Sequence, residues 1–312
     1  MFSILETGLF FPYTCYVAKL RIFFFSGTGN TASAASSLAS ELSGLGHETV
    51  LSDVRAPLAP ISDLASQDAF VFMYPVHAFN APAFFRRFVR SIPKLEGSRP
   101  VYIIKTAGEP FAVNSASSFS LCRMLSSRGF TPELDVLLLM PYHIMFRYPD
   151  AVAKQLYLHS MSMIRTIASF IASGQTHPPR FSFPAIMLSY LFRIQSFGAW
   201  LNGPLIHAKA DLCLGCGLCA SRCPASNITM EGGRPHFHNR CTMCMSCSSV
   251  CPSDAVRPGF LSGWRVNGSY DFDRLASDPS IPDDFINPQT KGYFRHFYPY
   301  IKKTSDPDGS WI

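Results

Sequence analysis

Leu20-Arg21-Ile22-Phe23-Phe24-Phe25, running directly into Ser26-Gly27-Thr28-Gly29-Asn30-Thr31, is the stretch that decides the fold. The first half is a short apolar run of strand character. Beyond the loop, Ala34, Ala35, Leu38, Ala39, Leu42 and Leu45 recur at helical spacing, and Gly44 and Gly46 stop the helix. A strand that turns through a Gly-Ser-Thr loop into a helix gathers backbone N–H groups and a helix N-terminus at one point, which suits a phosphate. Ser26, Thr28, Asn30 and Thr31 add side-chain donors around Gly29. No Lys follows the second glycine, so the loop is not a Walker sequence. A third glycine is absent, so it is not the dinucleotide fingerprint either. A mononucleotide fits it better. An empty turn is the plainer alternative, and the strand-loop-helix context argues against it.

Working outward, His47 to Leu51, Ala69 to Tyr74, Val101 to Lys105 and Val136 to Met140 read as further strands. Helical patterns lie at Pro82 to Ile92, Ala116 to Arg128 and Pro149 to Ser173. This alternation predicts an α/β fold: a doubly wound, parallel, five-stranded sheet with both faces covered. Ligands of such sheets bind at the carboxyl ends of the strands. Two loops there are candidates for the flat part of a ligand. Tyr74, Pro75, Val76, His77, Ala78, Phe79 and Asn80 follow the third strand, and Thr106, Ala107, Gly108 and Glu109 follow the fourth. Aromatic rings in the first could stack on a heterocycle, and amides of Ala107 and Gly108 could reach its polar edge. Simple packing is the alternative for each ring.

From about His207 the chain changes character. Cys213, Cys216, Cys219 and Cys223-Pro224 give C-x2-C-x2-C-x3-C-P, and Cys241, Cys244, Cys247 and Cys251-Pro252 repeat it. That double run is the spacing of bacterial two-cluster ferredoxins, in which the fourth cysteine of each run serves the other cluster. Gly215 and Gly217 let the first loop curl, and Ile228 and Val256 supply apolar cover. Zinc usually takes two spaced pairs rather than interlocked quadruplets, and disulfides at such tight spacing are strained. Arg222 and Arg240 sit beside ligands, either as tuning donors or as solvated charges. Cys15 and Cys122 lie outside the repeat and read as small core residues.

Length and composition agree with two domains and a reducing compartment. The chain has 312 residues, 47% of them hydrophobic and 15% charged, and 10 cysteines, too few for a disulfide scaffold. No signal sequence or spanning segment is expected. Phe181 to His207 is apolar but broken by Pro184, Gln195, Asn202 and Pro204, which predicts a buried or interfacial helix. The 27 Lys and Arg against 21 Asp and Glu give a net +6. Thiolate ligands of two clusters and a bound phosphate would add roughly six negative charges, so this basicity does not argue for nucleic acid.

With both features placed, the chain resembles the flavodoxin-ferredoxin fusion proteins of bacteria and archaea. The resemblance rests on residues 25 to 31, Tyr74-Pro75-Val76, Met140-Pro141 and both cysteine runs, and spans about Leu20 to Pro258. It implies FMN, with its phosphate on residues 26 to 31 and its ring between the 74–82 and 106–111 loops. It also implies a small α+β ferredoxin-like domain with two 4Fe-4S clusters, one on Cys213, Cys216, Cys219 and Cys251, the other on Cys241, Cys244, Cys247 and Cys223. The expected organisation is an extension over 1–18, the FMN domain over 19–175, an aromatic helical bridge over 176–206, the cluster domain over 207–260 and a tail over 261–312.

The expected function is intramolecular electron transfer between the clusters and FMN, exchanged with external redox proteins in the cytoplasm. The alternative is an FMN-dependent reductase of a small molecule fed by the clusters, with His77, Tyr142 or His143 as proton donor. A nucleic-acid-binding redox sensor ranks last, because no helix-turn-helix and no Lys or Arg run is present. The tail, with Tyr293, Phe294, Phe297, Tyr298 and Tyr300, is expected to pack back on its own chain. Clasping a second subunit as a homodimer, or docking a partner, are the alternatives.

Overall fold

Alternation within the strands sets the architecture. In β1 (Lys19–Phe24), Leu20 and Ile22 face one side of the sheet and Phe23 the other; in β3 (Ala69–Pro75), Val71 and Met73 oppose Phe70, Phe72 and Tyr74. Both sets are buried, as a sheet covered on two faces requires. The computed structural model describes residues 18–58, 60–142, 144, 146–264, 269–306, 309 and 311. Residues 1–17 of the expected extension, with Cys15, and also His143, lie outside the described residues.

The remaining elements follow in chain order: α1 (Asn30–Gly44), β2 (Glu48–Asp53), α2 (Ile61–Ala65), α3 (Ala83–Ser91), β4 (Arg99–Ala107), α4 (Phe119–Ser126), β5 (Phe130–Leu139) and α5 (Asp150–Ala172). All pairings in the main sheet are parallel, in the order β2-β1-β3-β4-β5. That is the flavodoxin-like order, whose switch point lies between β1 and β3. Leu38 and Leu42 of α1 and Ile164 and Ile167 of α5 pack on one face. Phe84, Phe85 and Val89 of α3 and Leu121 and Leu125 of α4 pack on the other. The second face is rich in phenylalanine, with Phe70 and Phe130 edge to face at 5.0 Å between centroids.

Three local expectations are corrected. β5 begins well before Val136, because Pro132 and Glu133 conceal a strand that is on the sheet edge and bulges at Glu133, opposite Val101 and Tyr102 of β4. An edge position and a bulge are the two places that tolerate a proline. The helix expected from Ala116 starts instead as a 3-10 turn over Ala112–Ser118. Coverage of both faces is incomplete at β2, where Val50 and Leu51 are exposed.

Beneath the ligand end of the sheet lies a buried ion pair. Lys105 Nζ is 2.8 Å from Asp135 Oδ2, with side chains 2% and 7% exposed. Ser118 Oγ donates to the same oxygen at 2.6 Å, and Lys105 also donates to the carbonyls of Asn114 and Ser115. The pair ties β4, β5 and the 3-10 turn together.

The bridge forms α6 (Phe183–Leu191), a 3-10 turn over Phe192–Ile194, and α7 (Gln195–Asn202). A buried helix is not what is found: Ser189, Ala199 and Asn202 face inward, while Phe183, Leu191, Ile194 and Phe197 are exposed. The smaller region comprises β6 (His207–Ala208), α8 (Leu218–Ser221), β7 (Ile228–Glu231), β8 (Arg234–Phe237), α9 (Ser246–Ser249) and β9 (Val256–Arg257). β6 pairs with β9 and β7 with β8, both antiparallel. Its buried apolar core is small, chiefly Ile206, Cys219, Ile228 and Val256.

The tail returns over the first domain. α10 (Phe272–Ser277) lies on α5, with Phe272 stacked on Tyr157 at 4.3 Å, and α11 (Tyr298–Thr304) follows a 3-10 turn over Gly292–Phe297. Lys154 Nζ donates to the carbonyls of Asp278 and Ile281, and Ile286, Phe297 and Ile301 join Tyr148, Val152 and Leu156 in one buried cluster. Packing on its own chain, as expected, is what the tail does. Among the described residues, no helix is long and apolar enough to cross a membrane.

Candidate functional site

The loop after β1 meets the loops after β3 and β4 at the switch point. Together they line a cavity of about 90 Å³ with Ser26, Gly27, Thr28, Asn30 and Thr31 on one side and Pro75, Val76, His77, Thr106, Ala107 and Gly108 on the other. Met140, Pro141, Tyr142 and Ile144 close it from the end of β5. Among the described residues, the N–H groups of Gly27, Thr28 and Asn30 find no protein acceptor, and Asn30 Oδ1 is buried without a partner. This polar cradle at a helix start fits a phosphate group.

The side chains of the loop are partly spent on holding its shape. Ser26 Oγ accepts from the Gly29 N–H at 3.0 Å, Asn30 Nδ2 donates to the Pro141 carbonyl at 2.8 Å, and the Thr31 and Thr106 hydroxyls share a hydrogen bond at 2.7 Å. The N–H groups are therefore the freer donors. Of the ring-side candidates, Tyr74 has its ring fully buried against Phe85 and outside the cavity lining. Phe79 packs on Phe192 of the bridge, Asn80 Nδ2 donates to the Ser189 carbonyl at 2.7 Å, and Glu109 accepts from Tyr293 of the tail. Ala78 and Phe79 have left-handed backbone, φ 42° and 58°, which makes the tight reversal that bonds His77 to Asn80. Burial brings His77 down to about 4, so its imidazole is neutral at pH 7 and poorly suited to donate a proton.

The eight repeat cysteines fall into two groups. Cys213, Cys216, Cys219 and Cys251 line one small cavity with Leu214, Leu218 and Val256. Cys223, Cys241, Cys244 and Cys247 line another with Ile206, Ile228 and Phe237. Both contain three cysteines of one run and the fourth of the other. Backbone N–H groups reach the sulfurs: Asn227 to Cys223 at 3.3 Å, Met243 to Cys241 at 3.3 Å and Ala255 to Cys251 at 3.2 Å. Such bonds stabilise thiolate and set cluster potential. Burial pushes the Cys244 thiol up to about 12 and Cys247 well above the ordinary range, so thiolate there needs a bound cation to offset it. Among the described residues, no three His, Cys, Asp or Glu side chains converge on a point suited to a single metal ion. Cys122, in contrast, is buried in the phenylalanine-rich face, a core residue as expected.

The feature that sequence reasoning missed joins the two sites. Cys244 lines the phosphate-loop cavity as well as its own. A Cβ added to Gly27 would lie 2.3 Å from the Cys244 carbonyl oxygen, so only glycine lets the cysteine loop approach this closely. Gly27 was legible as a loop residue; its partner, more than two hundred positions away, left no local signal.

Comparison with known proteins agrees with a cluster domain in the second half. Residues 203–256 match the family model of the 4Fe-4S dicluster domain. A 62-residue stretch is 39% identical to NADH-quinone oxidoreductase subunit I 2 of Geobacter metallireducens, covering 16% of this chain and 47% of that protein. The chain thus spans about half the length of this curated relative. Among solved structures, a flavodoxin of Streptococcus pneumoniae TIGR4 aligns at 15% identity over 50% of this chain and 99% of its own, with a TM-score of 0.37. Flavodoxin 1 of Bacillus cereus aligns at 16% identity over 51% and 100%, also with a TM-score of 0.37. Strand order and the cluster-domain match together describe a flavodoxin-like domain joined to a 4Fe-4S domain, an electron-transfer redox protein.

Proposed function

We propose that this fusion of a flavodoxin-like and a 4Fe-4S dicluster domain relays electrons between an external redox protein, two clusters and an FMN. The observation that carries the reading is that Cys244 borders both the phosphate-loop cavity and the second cysteine cavity. The cofactors would supply the redox chemistry, one electron at each cluster and one or two at the flavin. The chain supplies position. Gly27, Thr28 and Asn30 would offer their N–H groups to the FMN phosphate, and Val76, His77, Ala107 and Gly108, on the other side of the cavity, would border the ring.

Cys213, Cys216, Cys219 and Cys251 would hold the outer cluster and Cys223, Cys241, Cys244 and Cys247 the inner one. Leu214, 72% exposed, and the exposed Cys216 make the outer cavity the entry for a redox partner. The domains would run over 19–175 and 207–260, joined by the bridge at 176–206, in the cytoplasm, where thiols stay reduced. Anaerobic reconstitution followed by iron and flavin analysis tests the reading. About eight irons and one FMN per chain are expected. A redox titration following flavin and cluster signals together then gives the direction of flow. Protein that binds four irons or no flavin would sink the relay.

A further inference from the structure

One sizeable cavity is neither the phosphate cradle nor a cysteine site. It measures about 560 Å³ and lies where the β3–α3 loop, the bridge and the cluster domain meet. Its charge is one-sided. Arg86 and Arg87 enter from α3, Arg193 from the bridge and Arg240 from beside Cys241, and among the described residues no Asp or Glu lines it. Among the described residues, none of these four guanidinium groups has a carboxylate within salt-bridge distance.

Four cations gathered without a counter-charge repel one another, and helix polarity makes the arrangement worse. α3 starts at Ala83 with no acidic residue in its first turn and no side-chain cap, and it places Arg86 and Arg87 close to that positive end. Cations are unfavourable there, whereas an anion would satisfy the free N–H groups and the arginines together. Burial, and then the neighbouring charges of Arg193, Arg90 and Arg87, lower Arg86 to about 10. Two of the four arginines are also held in place. Arg86 Nη1 donates to the Ala81 carbonyl at 2.7 Å. Arg193 Nε donates to Asn80 Oδ1 at 3.2 Å, with its guanidinium 3.8 Å from the Tyr190 ring centroid. Asn80, 5% exposed, is itself fixed by the Ser189 and Ala78 carbonyls. Phe192 and Trp200 add ring faces to the lining.

We propose that this cavity binds a small organic polyanion, phosphate- or carboxylate-bearing and up to nucleotide size. Its position is next to the redox groups: His77 lines both this cavity and the phosphate-loop cavity, and Cys241 lines both this cavity and the inner cysteine cavity. A ligand seated here would stand where a substrate or effector of the flavin-like site would stand. The proposal goes beyond the relay and does not depend on it, because the arginines need neither cofactor to be in place.

The test is calorimetric titration of the reconstituted full chain, with iron and flavin content measured beforehand, in low-salt chloride buffer. ADP and citrate are the probes and adenosine is the uncharged control. ADP or citrate should bind, weakening as salt rises, and adenosine should not. Binding of ADP alone assigns phosphate chemistry, and of citrate alone carboxylate chemistry. Arg87→Gln removes an exposed guanidinium without an internal partner and should weaken the bound probe at least about tenfold, equivalent to about 1.4 kcal/mol. Arg165→Gln, exposed on α5 across the sheet and outside the lining, should leave affinity unchanged. No binding of either anion to about 10 mM, equal binding of adenosine, or unaltered affinity in Arg87→Gln would each overturn the proposal. Missing iron or flavin in the same sample counts against the relay alone.

Discussion

The two halves of this chain are stabilised by different means. The flavodoxin-like half buries two layers of apolar side chains, with Ile22, Leu38 and Ile164 on one face of the sheet and Phe70, Phe72 and Phe85 on the other. The cluster half buries little besides Ile206, Ile228 and Val256, and directs its cysteines at two hollows. Its two loops even repeat one backbone path. Gly215 and Gly217 of the first run have φ of 66° and 72°, and Met243 and Met245 at the same offsets in the second have 53° and 57°. A left-handed methionine costs roughly 1–2 kcal/mol, so the second loop accepts strain that the first avoids. The contrast teaches that one half is folded by water-avoidance, whereas the other has little apolar core of its own and would gain most from a bound cluster.

The largest expected effect breaks the comparison directly. Stripping iron with a chelator under reducing conditions should expose residues 207–257 to proteolysis while the flavodoxin-like core survives. Cleavage spread evenly over both halves would show that the stability is shared. Next, Asp135→Ala leaves Lys105 charged, buried and unpaired in the first half, and should lower its unfolding free energy by about 3–5 kcal/mol with iron content unchanged. Denaturant melts of both proteins measure this.

Acid should also act on the first half. Burial lowers His159, whose Nε2 is 2.7 Å from Thr304 Oγ1 of α11, to about 4. Above the ordinary histidine range both folded and unfolded states are neutral there, so nothing changes. As pH falls from about 6.5 to about 4, only the unfolded chain takes up the proton, and stability is lost by about 3 kcal/mol. His159→Gln should flatten the stability profile across that window. The mildest change tests where the halves touch. Gly27→Ala must push the Cys244 loop away and should slow cluster-to-flavin transfer roughly tenfold in stopped-flow experiments with flavin saturating, while both halves keep their melting points.

Short-range regularities made much of this legible in the sequence. The period of two in Phe70-Val71-Phe72-Met73 and the helical spacing from Ala34 to Leu42 carry strand and helix identity by themselves. The cysteine runs likewise state their chemistry in a few positions. What stayed hidden depends on contacts distant in sequence. Tyr74 looks like a ligand-loop aromatic until Phe85 buries it. The bridge reads as a buried or interfacial helix, and which of the two is not legible; Leu191 and Ile194 stay exposed while Ser189, Ala199 and Asn202 are buried. Arg87, Arg193 and Arg240 are unremarkable one by one and become a cluster only after three separate elements meet.

The returning tail has one more consequence. Tyr270 Oη donates to the Tyr142 carbonyl and accepts from the Tyr148 N–H at 2.9 Å, so the chain leaving the cluster half is fastened to the domain from which the bridge departed. The cluster half is therefore tethered at both ends, like an insertion. A module on a single leash can wander and re-dock; one held twice keeps a high effective concentration at its contact surface. Electron exchange across the Gly27–Cys244 contact would then require no encounter step, leaving collision with an outside partner as the only diffusive event in a turnover.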